Sequence, residues 1–119
     1  MVEKFKKILG TIVKEKGKIT LFAILKMDDL TDRWTVIFSA PWVAESTLKD
    51  NFAYLRDLIT KEFASDEVNL ISRLGIFTKD EHIVQSLLVY KSGSEIKEDV
   101  KINGNIIHEG YVLESASNA

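Results

Sequence analysis

The sequence predicts an α+β domain, a five-stranded mixed sheet with packed helices in the chain order α-β-β-α-β-α-β-β. Three observations support this prediction. Residues 33 to 40 alternate with a period of two, residues 45 to 64 carry apolar side chains at helical spacing, and Asn103–Gly104 separates two apolar segments. Because a long helix lies between the second and third strands, we expect these two strands to run parallel.

The first helix is predicted over residues 2 to 16, with Gly17 as its stop. The first strand, residues 18 to 27, is apolar on both faces, and Phe22 and Ile24 contribute to one of them. Such a strand is covered by helices on both sides, or is covered on one side and joined to a partner subunit on the other. We expect the face that carries Phe22 to lack a helix cover.

The second strand is the segment around which the chain is organised. Trp34, Val36 and Phe38 share one face, and Pro41, the only proline, has no N–H group to continue a ladder. Trp42 therefore falls just beyond the strand end and just before the long helix. This is a position where folds with parallel strands often bind ligands.

The second helix is predicted over residues 45 to 64 and the third strand over 68 to 78. Residues 79 to 90 fit either a short helix or a strand. We predict a helix, because Thr78 and Glu81 have the spacing of a capping box.

Two further strands are predicted at residues 95 to 102 and 105 to 113. Asn103–Gly104 is the turn that most strongly favours a hairpin. One domain is expected over residues 1 to 114, followed by a frayed polar tail at 115 to 119.

Composition excludes several classes of protein. The 119 residues contain no cysteine, so disulfide frameworks, thiolate metal sites and cysteine nucleophiles are absent. The formal net charge of −2 gives no bulk electrostatic attraction to nucleic acid. The charged N-terminal segment is unlike a secretory signal, and no apolar run has transmembrane length. We expect a cytoplasmic protein without membrane or nucleic-acid partners.

The segments Asp32–Trp34 and Ser39–Trp42 resemble a family of short, uncharacterised prokaryotic proteins. In that family a strand with Asp-x-Trp ends in Ser-Ala-Pro-Trp and leads into a long helix. The resemblance extends over most of the chain, although some members have Asp-Pro where this chain has Thr78–His82. It implies no activity, substrate, cofactor or catalytic residue.

The residue types of catalytic and metal sites are present but lack the required spacing. His82 and His108 lie on different predicted elements, and Ser39 lacks the Gly-x-Ser-x-Gly elbow. No phosphate-binding glycine loop occurs. We therefore predict no catalytic residue, no metal ligand and no cofactor, and we expect the two histidines to lie on the surface.

One metal-dependent alternative remains. Asp28, Asp29 and Asp32 crowd a strand end, where carboxylates can hold Mg²⁺, and Glu95 with Lys97 forms a Glu-x-Lys unit typical of nucleases. The intervening elements separate these groups in the chain. A nuclease-like hydrolase is accordingly our third hypothesis, behind a solvated loop.

The leading hypothesis is a non-catalytic association domain, either a homodimer or a module for another protein, because the first two strands are apolar on both faces. The second hypothesis is a small-ligand-binding domain near Trp42, although Trp42 also suits a structural role. The candidate ligand or partner contacts are Trp42, Glu45, Ser46, Phe22, Ile24, Asp32 and Arg33.

Overall fold

The computed structural model describes residues 2–27, 33–102 and 104–116. These residues form an α+β fold with a mixed sheet and helices on both of its faces. The elements in chain order are α1 (Val2–Lys16), β1 (Leu21–Met27), β2 (Trp34–Ser39), a 3₁₀ turn (Glu45–Thr47), α2 (Leu48–Glu62), α3 (Ser65–Val68), β3 (Ile71–Ile76), α4 (His82–Leu87), β4 (Ser94–Ile96), β5 (Val100–Ile102) and β6 (Asn105–Ser115).

The strands lie in the order β3-β2-β1-β6-β4, and β5 also pairs with β6. β1 and β2 are antiparallel, with Phe22 opposite Phe38, and β2 and β3 are parallel, so both predicted pairings are confirmed. The polar connection at 28–32, which includes the candidate Asp32, lies outside the described residues, as does Asn103 of the predicted turn.

The predictions of five strands and of the chain order are wrong, because the expected strand at 95–102 is interrupted. β4 and β5 pair with successive parts of β6, and the residues at 97–99 lie between them. Ser94 is opposite Val112 and Val100 is opposite Ile107, so the register slips by one residue, as at a β-bulge. The sheet consequently has six strands.

The other boundaries differ locally. The residues between the second predicted helix and the third predicted strand form the short helix α3. The helix predicted at 79–90 is confirmed but spans only α4. The backbone N–H of Glu81 donates to the carbonyl oxygen of Thr78 at 3.2 Å. This bond closes a separate turn before α4. Glu81 is therefore the N-cap residue of α4 and does not lie in its first turn.

The C-terminal strand extends further than predicted. β6 continues to Ser115, and the N–H of Ala116 donates to the carbonyl oxygen of Thr20 at 2.9 Å. The predicted tail at 115–119 thus begins inside a strand, and residues 117–119 lie outside the described part of the chain. The limits of the domain stay a prediction.

The first core lies between α1, α2 and one face of the sheet. Phe22 and Ile24 are completely buried in it. The ring of Phe22 makes edge contacts with Phe5 of α1 at 5.9 Å and with Phe38 at 5.6 Å between centroids. The expectation that this face lacks a helix cover, and offers Phe22 and Ile24 to a partner, is therefore wrong.

The second core covers the opposite face. It brings α4 and strands β4 and β5 against the other side chains of β1, β2 and β6. α4 has only six residues, and two cavities border it. The buried residues of the second core include Leu21, Ala23, Leu25, Ile37, Ile83, Val84, Leu87 and Ile107.

Truncating the centre of the first core should strongly destabilise the chain. We expect Phe22→Ala to lower the free energy of unfolding by about 3 to 5 kcal/mol, because it leaves a cavity among aromatic rings. The control Val89→Ala removes a side chain that is 78% exposed and should change stability by less than about 0.5 kcal/mol. Urea unfolding of both variants checks this, and a loss below about 1 kcal/mol for Phe22→Ala would contradict the packing.

Alkaline pH should weaken the contact between α1 and α2. The Tyr54 hydroxyl donates to the Glu15 carboxylate at 2.5 Å. Burial, and then the hydrogen bond and charge of Glu15, raise the pKa of Tyr54 to about 12. In the unfolded chain a tyrosine pKa is about 10. The native state therefore keeps a proton that the unfolded state loses, and this stabilisation is full below pH 10 and disappears as pH rises towards 12.

Urea unfolding across that pH window should show a steeper loss of stability in the wild type than in Tyr54→Phe. Tyr90→Phe, which removes a tyrosine hydroxyl beside the second core, serves as the control. If the free energy of unfolding changed with pH in the same way in the wild type and in Tyr54→Phe, the proton of Tyr54 would not contribute to stability.

Candidate functional site

A cleft of about 600 Å³ opens at one end of the sheet. β2 and β3 are parallel, so their carboxyl ends meet at the same edge, and the loops that follow them form two walls of the cleft. The start of β1 and the end of β6 complete it. We call it the end cleft, and its lining includes Thr20, Pro41, Val43, Glu45, Thr78 and Asp80.

The loop after β2 is held by local bonds around Pro41. The N–H of Val43 donates to the carbonyl oxygen of Ala40 at 3.0 Å, which closes a turn. The indole N–H of Trp42 donates to the carbonyl oxygen of Lys18 at 3.0 Å, and its ring packs on Phe38. Trp42 therefore anchors the loop to the first core, and its neighbours in sequence line the cleft.

The entry to α2 is fixed by a hydroxyl. Thr47 Oγ1 donates to the carbonyl oxygen of Ala44 and accepts from the N–H of the same residue, both at 3.1 Å. These bonds hold Glu45, which lies between the two residues, on the wall of the cleft. Ser46 is exposed and does not line the cleft.

The end cleft contains charged groups without protein partners. The carboxylates of Glu45 and Asp80 and the ammonium of Lys79 make no hydrogen bond or ion pair with the described residues. The side-chain amide of Gln85 donates to the carbonyl oxygen of Lys79 at 2.6 Å, which leaves its own oxygen as an acceptor. Apolar side chains such as Val43 fill the spaces between these polar groups. The lining can thus accept hydrogen bonds from a ligand and cover its apolar part.

The predicted contact residues do not form one site. Glu45 lines the end cleft, Trp42 supports it, and Phe22 and Ile24 belong to the core. Arg33 lies in an exposed bend before β2, at the opposite end of that strand from the cleft.

The wall formed by Thr78, Lys79 and Asp80 was missed at the level of sequence. A signal for it existed, because parallel β2 and β3 place the two following loops side by side.

The described residues contain no group of three or more histidine, aspartate and glutamate side chains placed to hold a metal ion. His82 is exposed near Ser86, and His108 Nδ1 lies 3.0 Å from an Asp99 carboxylate oxygen on the surface. The three aspartates of the hydrolase hypothesis fall in the segment 28–32, outside the described residues, whereas Glu95 lies on β4, so that hypothesis stays a prediction.

No protein-family model, curated protein or solved structure matches this chain. The resemblance carried by Asp32–Trp34 and Ser39–Trp42 therefore receives no support from these comparisons. In the described part of the chain, every helix is too short or too polar to cross a bilayer.

Removing the indole N–H of Trp42 should loosen the loop after β2. We expect Trp42→Phe to lower the free energy of unfolding by at least about 1 kcal/mol, because the bond to Lys18 is lost and the ring contact shrinks. Phe52→Leu, at an aromatic ring that is 38% exposed, is the control and should cost less than about 0.5 kcal/mol. Equal stability of the two variants in urea would show that Trp42 is not a structural anchor.

Proposed function

We propose that this protein is a small-ligand-binding domain whose binding site is the end cleft. The observation that carries the proposal is a cavity of about 600 Å³ at the carboxyl ends of a parallel strand pair. Sites for small molecules commonly have volumes of about 300 to 1,000 Å³ and occupy this position in sheets with parallel strands.

The lining favours a ligand that donates hydrogen bonds. Glu45 and Asp80 contribute two carboxylates and Lys79 one ammonium, so acceptors and negative charge predominate. The apolar wall, which includes Pro41 and Leu88, suits a short hydrocarbon portion. A small organic amine combines these properties. We propose binding alone, because the hydroxyls of the lining have no histidine beside them to act as a base.

Association through the β3 edge is a second candidate. β3 is an edge strand of the sheet, and a groove of about 200 Å³ lies between it and α2. Phe52 lines this groove and Leu70 directly precedes β3; they are 38% and 42% exposed, which suits pairing with a second chain. A homodimer would scatter light as twice 13.5 kDa, whereas a monomer mass at every concentration would contradict this candidate.

The ligand proposal is tested with 1,5-diaminopentane and glutarate, which have the same carbon chain and opposite charges. We expect the diamine to shift the backbone amide NMR signals of the end cleft and glutarate to leave them in place. The double variant Glu45→Gln with Asp80→Asn should weaken diamine binding at least about tenfold.

The control variant Glu98→Gln removes an exposed carboxylate that lies outside the cleft, and it should bind the diamine like the wild type. Absence of cleft shifts up to about 10 mM diamine, or shifts that persist in the double variant, would overturn the proposal.

A further inference from the structure

A second cavity, of about 460 Å³, lies on the face of the sheet that α4 leaves open. We call it the side cavity. The loop between β3 and α4 separates it from the end cleft, and the two cavities share no lining residue. Its lining includes Thr35, Ile37, Arg73, Phe77, Glu81 and Ile83.

The apolar part of the side cavity depends on Gly75. A Cβ atom at this position would lie 2.5 Å from Cε2 of Phe77, so only glycine leaves space for the ring. Ile37 and Ile83 are 2% and 8% exposed and form a firm apolar surface beside it. This surface suits a branched or aromatic hydrocarbon group.

Two opposite charges line the same cavity without neutralising each other. The guanidinium of Arg73 on β3 and the carboxylate of Glu81 at the cap of α4 make no hydrogen bond or ion pair with any described residue, including each other. A guanidinium group binds a carboxylate through two parallel hydrogen bonds, and a carboxylate accepts hydrogen bonds from an ammonium group. The cavity therefore offers one partner for each end of a zwitterion.

A third polar residue, Thr35, lines the same cavity. Thr35 is 4% exposed, and its Oγ1 has no hydrogen-bond partner among the described residues. A buried hydroxyl without a partner reduces stability, and a valine of the same shape would remove that cost. Thr35 therefore adds one polar residue to the lining of the side cavity.

We propose that the side cavity binds a free amino acid with an apolar side chain, whose carboxylate pairs with Arg73 and whose ammonium pairs with Glu81. The side chain of the amino acid packs against Ile37, Phe77 and Ile83. Neither charged residue lines the end cleft, so this proposal does not depend on the function assigned to that cleft.

The test compares L-leucine with N-acetyl-L-leucine, which lacks the ammonium, and with L-leucinamide, which lacks the carboxylate. Backbone amide NMR shifts locate the binding and give the dissociation constants. We expect L-leucine to shift signals around Gly75 and Glu81, and each blocked compound to bind at least about tenfold more weakly.

Arg73→Gln and Glu81→Gln change exposed side chains, so both variants should fold, and urea unfolding verifies this. Each should weaken L-leucine binding at least about tenfold. The controls Arg56→Gln and Glu98→Gln remove the same charges outside the cavity and should bind L-leucine like the wild type.

Three results would overturn the proposal. The first is the absence of shifts around the side cavity with L-leucine and L-phenylalanine up to about 10 mM. The second is equal binding of L-leucine and either blocked compound, which would reduce the site to a single charge contact. The third is unchanged binding in Arg73→Gln and Glu81→Gln.

Discussion

The packing of Phe22 between Phe5 of α1 and Phe38 of β2 is the contact on which the rest of the fold depends. It belongs to a strand, β1, that is apolar on both faces, and such a strand is stable only when both faces are covered. α1 and α2 together cover one face, whereas the other receives one short helix and the β4–β5 segment. The cover on that second face is therefore incomplete, and the end cleft and the side cavity both border α4.

The parallel pairing of β2 and β3 determines where polar groups accumulate. A parallel pair needs a long crossover, so α2 must leave one end of the sheet and return at the other. Pro41 follows the carboxyl end of β2, where the crossover begins. The loop that contains Asp80 follows the carboxyl end of β3, at the same end of the sheet. Glu45 and Asp80, whose carboxylates have no partner among the described residues, thus line one cleft although they are distant in the sequence.

Patterns among neighbouring residues were sufficient to predict α1, the β1–β2 pair and the final hairpin, and the long helix between β2 and β3 predicted their parallel pairing. The cover of Phe22 was not predictable, since an apolar strand face fits a helix or a second subunit equally well. The interruption at 97–99 depends on a register slip against β6, which leaves no repeat in the sequence. Of the candidate site, Glu45 was found because it follows the end of β2. Asp80 was missed although the predicted parallel pairing of β3 already placed its loop beside that strand end.

Thr35 and Ser39 are polar residues at buried positions of β2, where apolar side chains are usual. They alternate with Ile37 on the face that α4 covers, and both hydroxyls are buried without a partner among the described residues. Each costs about 1 to 3 kcal/mol relative to a satisfied hydroxyl. Thr35 lines the side cavity, and Ser39 directly precedes Ala40 of the end cleft. Ile37 thus packs in the second core between Thr35, which lines the side cavity, and Ser39, which lies next to the end cleft. Proteins keep local departures of this kind mainly at functional sites, so β2 connects the two surfaces for which we propose ligands.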